Sequence, residues 1–308
     1  MERNILMRNK LHKSVMIISI IIISFLFSWA SAQQKKVESK TTVKYYNEDP
    51  KVLYSQACQL ARSMQESDLQ VLQTRLTDAA FLTKLDSAKS YEGQPTRLHV
   101  AGVLQILSEN PSPSAQKVLL SLTTSPVFLE HRSRVDLLIQ ALVKIKPAPQ
   151  QAVLFWDKHF QPEDGYSGVT VWALLDNGSA PAIALFEKKM LDVRFPETER
   201  RYWLTACVLQ HRNDLPLLQG CDRLLASRLE DPYRLLLVDV LFDYKPDDWY
   251  GAAHWYKPPP RAKASKEALE QLRVVGRKAV ESQPLSRIQQ EKVRLVVREL
   301  DGLLGSGK

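Results

Sequence analysis

The sequence predicts an all-α protein of stacked antiparallel helix pairs, preceded by an export leader. Three observations carry this. From Asp49 onward, apolar residues recur at helical spacing. Pro-based helix starts punctuate that pattern at short intervals. No run of alternating β-branched residues lies between hairpin turns, so strands are not supported.

Composition sets the outer bounds. The 308 residues are 44% hydrophobic and 25% charged, with 11 Gly and 3 Cys. These values exclude a collagen-like chain, a disulfide-dense mini-scaffold and a wholly disordered chain.

The N-terminus comes first. Arg3, Arg8, Lys10 and Lys13 precede Val15–Trp29, an uncharged apolar run, and Ala30-Ser31-Ala32 follows. Basic, apolar, then small is the order of a secretory signal peptide. The run is shorter than the roughly 20 residues a spanning helix needs. Residues 1–32 are therefore read as a leader cleaved near Ala32, the bland rival being an uncleaved N-terminal anchor. Both readings export the rest, to a periplasmic or extracellular place. Without the leader, the formal charge of +8 falls to a small basic excess spread along the chain. That is not the clustered footprint of a nucleic-acid binder. Residues 33–48 are polar, lysine-rich and poor in apolar side chains, which makes them a flexible linker.

The helices follow, in one domain over 49–308. Val135, Leu138, Ile139 and Leu142 fall at i, i+3, i+4 and i+7, and Val293, Val296, Val297 and Leu300 repeat the stripe. Pro at a first helical turn wastes no N–H, and a preceding oxygen can cap the free amides. Asp49-Pro50, Ser112-Pro113, Ser125-Pro126 and Asp231-Pro232 offer this pairing. Ser179 and Asp214 stand two residues before Pro181 and Pro216, and Ser286 with Gln289 has capping-box spacing. The helices pair as 100–110 with 114–122, 134–146 with 149–160, 168–178 with 179–191, and 200–213 with 214–226. Their turns lie near 110, 147, 177 and 213, a recurrence of 30 to 37 residues. A lone pair cannot bury its apolar face, so neighbours must stack.

Over roughly 95–230 the chain resembles the HEAT-repeat α-solenoid proteins. Arg134-Val135 followed by Ala141-Leu142 is similar to the basic-then-apolar start and small-residue core of such repeats. The regular Asp and Arg ladder positions of that family are not visible. The resemblance implies an irregular HEAT-like solenoid presenting a long surface for recognition of a partner protein.

Two features stand apart. Cys207 and Cys221 flank the turn near Asn213 at similar distances. They are either a disulfide across two antiparallel helices or two small core residues, and Cys58 is left over. Residues 243–263 interrupt the helical rhythm with Tyr244, Trp249, Tyr250, Trp255 and Tyr256, then Pro258, Pro259 and Pro260. Asp247, Asp248 and His254 stand among the rings. Flat aromatic faces beside carboxylates and an imidazole suit a glycan, an aromatic ligand or a peptide. The same rings could instead fold back to plug the core. Asp247, Asp248, Trp249, Tyr250, His254, Trp255 and Tyr256 are the candidate binding residues.

Signatures of catalysis are missing: no phosphate loop, no Cys-x-x-Cys, no His-Glu-x-x-His and no Gly-x-Ser-x-Gly elbow. His99, His131, His159 and His211 sit in or beside separate helices, and Asp157 and His159 fall on different helix faces. No metal and no cofactor is expected. Trp156, Trp172 and Trp203 read as core rings. Arg287, Arg294 and Arg298, interleaved with Glu291 and Glu299, read as a solvated face rather than a phosphate site. The expected function is an exported, non-catalytic binding or scaffolding protein with a protein partner. The alternative is a carbohydrate-binding or carbohydrate-active protein that uses 244–256. Membrane contact would come only through the N-terminal segment, if uncleaved.

Overall fold

The computed structural model describes residues 59–87, 97–242 and 258–305. All regular structure among them is helical. The chain divides into two compact units, residues 1–106 and 107–308.

In the first unit, α1 (Glu66–Leu76) packs on α2 (Ala79–Ser87). The Gln65 backbone N–H donates to Asp68 Oδ2 at 3.0 Å, satisfying a donor at the helix start. Leu69, Leu72 and Leu76 share one face and are buried, as is Leu82 of α2. The division falls within α3 (Arg97–Glu109), whose Val100, Val103, Leu104 and Leu107 form one buried stripe.

The second unit continues with α4 (Pro113–Leu122) and the single turn α5 (Pro126–Leu129). Next come α6 (Arg132–Ala141), extended by a 3₁₀ turn to Lys144, and α7 (Gln150–His159). α8 (Ser167–Asn177) and α9 (Ala180–Met190) follow. α10 runs from Glu197 to His211 with a π-helical stretch at Trp203–Val208. The unit closes with α11 (Leu215–Leu225), α12 (Asp231–Phe242), α13 (Lys266–Ser282) and α14 (Arg287–Gly305). The helix ends match the sequence pairing to within a few residues, because the local chemistry marks them. Ser112, Ser125 and Ser265 each accept a backbone N–H three residues on. Ser286 and Gln289 form the capping box. Gly178 ends α8 at φ +66°, a backbone state that disfavours residues with a Cβ.

Packing runs in two series. α6 packs on α8, α8 on α10, α10 on α12, and α12 on α14. α7 packs on α9, α9 on α11, and α11 on α13. Helices thus pack on the helix two places along, and α8 packs on its next neighbour α9 and α13 on α14 as well. Fully burying a Leu or Phe contributes about 1.5–3 kcal/mol, which gives each stripe its hold. Val135, Leu138, Ile139 and Leu142 are all at most 2% exposed. Polar tethers follow the same order. Lys146 reaches the Asp176 carbonyl, Asn177 the carbonyls of Val143 and Ile145, Arg200 pairs with Glu230, and Arg223 with Glu187. Their sequence separations run from 30 to 36 residues. Between α11 and α13 the separation reaches 56 in Lys278 to Asp222, because α12 and the segment after it intervene.

Candidate functional site

The seven candidate residues from Asp247 to Tyr256, and Cys58, lie outside the described residues. The far edge of that segment is described. Arg212 and Asn213, at the α10–α11 turn, donate to the carbonyls of Pro259 and Pro260 at 3.0–3.3 Å. Arg261 reaches back to the Leu241 carbonyl at 3.2 Å.

The turn that anchors Pro259 carries a polar cluster. His211 Nε2 lies 3.2 Å from Asp176 Oδ1 of α8, and its Nδ1 lies 2.9 Å from Asp214 Oδ2. The Trp172 ring packs at 6.0 Å from the imidazole and donates its indole N–H to the Tyr202 hydroxyl at 3.2 Å. Trp172 is thus a half-buried member of this cluster, not a core ring like Trp156 and Trp203. Burial alone would lower the His211 pKa, but hydrogen bonds from the ring to the Asp176 and Asp214 carboxylates outweigh it and raise it to about 9. A protonated ring with both nitrogens engaged has no lone pair for a metal and is a poor general base at neutral pH. The cluster ties α8, α10 and α11 together. Among the described residues, no group of three or more His, Cys, Asp or Glu side chains could hold a metal.

His159 behaves differently. Its ring packs on Phe155 at 4.6 Å and Tyr166 at 5.4 Å, and its Nε2 is buried without a hydrogen-bond partner. Burial, then the Lys158 charge, pushes its pKa down, so the ring is a neutral packing element.

Next to that ring pair runs an open groove. Thr124, Pro126 and Leu129 form one wall, and Gln151, Leu154 and Lys158 of α7 form the other, around a cavity of about 660 Å³. Leu154 is 60% exposed. Gln151 fixes the wall by donating to the Leu120 carbonyl and the Thr123 hydroxyl, both at 2.9 Å. The size lies within the range of ligand-binding clefts, and the lining is mostly apolar with a few polar groups at its rim.

The tertiary contacts of several polar residues escaped the sequence reading. Lys189 is 2% exposed, paired with Asp157 at 2.7 Å and donating to the Phe160 carbonyl at 2.6 Å, among the rings of Phe160 and Phe195. Arg134 donates to the Val127 carbonyl, and Arg234 to those of Ser227 and Leu229. Arg134, Arg200 and Arg234 all stand in the first turns of α6, α10 and α12. That shared position was the available signal, hidden because the 66- and 34-residue intervals differ.

Cys207 and Cys221 are both buried and carry free thiols, so the bridge weighed from their spacing is not formed. The two thiols belong to different packing series: Cys207 lies in α10, which packs on α8 and α12, and Cys221 in α11, which packs on α9 and α13. Burial pushes both thiols well up, so they stay protonated and inert.

No protein-family model, curated protein or solved structure matches this chain.

Proposed function

We propose that this chain is an exported, HEAT-like helical-repeat protein that binds or scaffolds a protein of the cell envelope and carries out no catalysis. The observation that carries the reading is the groove beside Leu154. It is an open, largely apolar cleft of ligand-binding size beside a series of helices that each pack on the helix two places along. A large exposed leucine in a cleft is the kind of anchor on which protein interfaces concentrate their energy. The helix order and the tethers at 30 to 36 residues support a solenoid stack. The leader-like residues 1–32 support export, with a mature chain starting at Gln33.

The test is a photo-crosslinking amino acid at Leu154 in the exported protein, followed by a Leu154→Arg variant. One defined envelope protein should crosslink at this position, and Leu154→Arg should abolish its capture at unchanged melting temperature. Capture that persists in the arginine variant, or no crosslink from position 154, would remove the groove from the proposal. Glycan turnover lost in an Asp248→Asn variant would favour the carbohydrate-active alternative instead.

A further inference from the structure

A second cavity, of about 320 Å³, opens between α13 and α14. Three arginines surround it: Arg277 of α13, and Arg294 and Arg298 of α14. Its apolar lining comes from Val280 and Val297, and Glu281 is its single carboxylate. Gly276 makes the geometry possible. A Cβ there would lie 2.7 Å from Val297 Cγ2 and 3.0 Å from Phe242 Cε1, so only glycine lets the two arginine-bearing faces approach this closely.

The charges are not balanced within the protein. Arg277 shares Asp301 with Arg273, at 3.3 and 3.2 Å. Arg294 and Arg298 make no hydrogen bond or ion pair with any described residue, although they stand at i and i+4 on an exposed face. Like charges at that spacing repel and disfavour the helix. Arg287, one turn and more toward the N-terminus, pairs instead with Glu291 at 3.2 Å and stands away from the cavity. Two unpaired guanidinium groups beside a third, above an apolar floor, are matched by a compact dianion. A guanidinium offers a planar fork of N–H donors that fits phosphate oxygens two at a time.

We propose that Arg277, Arg294 and Arg298 form a binding site for a phosphate-monoester group, with Val280 and Val297 receiving the small apolar part of the molecule that carries it. The phosphate could belong to a free metabolite or to a lipid headgroup, since the chemistry at the arginines is the same. The site is independent of the Leu154 groove and of export.

The experiment titrates inorganic phosphate into the full chain at constant ionic strength by calorimetry, with chloride as the control anion. Saturable binding should appear, weakened about tenfold or more in the Arg294→Gln/Arg298→Gln double variant. Arg287→Gln should bind like the parent. Neither variant should melt appreciably below the parent without ligand, because the replaced side chains are exposed and the double variant relieves the repulsion between Arg294 and Arg298. Absent saturation, or equal weakening by Arg287→Gln, would overturn the site. Co-sedimentation with vesicles of phosphatidic acid in phosphatidylcholine, compared with phosphatidylcholine alone, separates the sources. A gain that the double variant loses supports a lipid phosphate. Phosphate binding without that gain supports a soluble one.

Discussion

Single side chains hold helices together across the packing series, as Lys189 with Asp157 and Arg223 with Glu187 do. Burial would raise the Asp157 carboxyl, but hydrogen bonds from Lys188 and Lys189 outweigh it and hold it below the ordinary carboxylate range. Its folded pKa is depressed, so its stabilisation is complete above the unfolded value and fades as pH falls through the folded one. Replacing Lys189 with Met would strand the Phe160 carbonyl and part of Asp157. We expect a loss of about 3 kcal/mol in urea denaturation. His211 has the opposite sign. Its folded pKa of about 9 stands above the unfolded value of 6.5. The clamp is therefore fully stabilising below about 6.5 and weakens as pH rises through about 9. Half-exposed Asp176 and Asp214 screen it, leaving about 1–2 kcal/mol. Thermal melts of the parent should decline across that window, whereas His211→Gln should start lower and stay flat. The neutral, buried thiols of Cys207 and Cys221 should resist alkylation until the protein unfolds.

Among helices, the sign of a substitution depends on what lies across the interface. Alanine is a better helix former than glycine by about 1 kcal/mol. At Gly220 of α11, however, a new Cβ would stand 2.6 Å from Ile183 Cγ2 and 3.0 Å from Glu187 Oε1 of α9. Ile183 is itself buried and has little room to shift. Gly220→Ala should therefore lose about 1 kcal/mol net of stability, by overpacking. Gly302 of α14 has nothing within 4 Å of that position, and Gly302→Ala should gain a few tenths to about 1 kcal/mol. Paired urea titrations of the two variants read both signs. Helix starts were legible because Ser-Pro and capping-box chemistry is local. Ser179 and Asp214 departed from the pattern: Ser179 Oγ accepts from the Ala148 N–H and donates to Asn177, and Asp214 takes His211. Those partners lie a helix pair away or depend on side-chain direction, so spacing alone could not announce them. The π-helical stretch was equally silent. Trp203, Leu204, Ala206, Cys207, Val208 and Leu209 are buried all around, which leaves no phase to read.

For the second unit as a whole, the proposed solenoid stack would make stability a local quantity. Leu217 of α11 is 1% exposed, and Leu217→Ala should cost about 2–4 kcal/mol. In hydrogen exchange, the loss of protection should concentrate in 180–242 and 266–282, with α4 and α6 nearly unchanged. Equal loss over all of 107–305 would mean that the unit unfolds as one cooperative block instead.

The amino-acid order by itself determined that residues 100–226 form short helices, and where most of them begin and end. Burial periodicity and end-capping act over one or two turns, so they are written in neighbouring residues. The tertiary structure alone decided which helix packs on which, that Cys207 and Cys221 remain apart, and that Arg277 meets Arg294 and Arg298. These outcomes depend on the rotation of each helix about its axis, which is set by packing against a partner about 30 residues or more away.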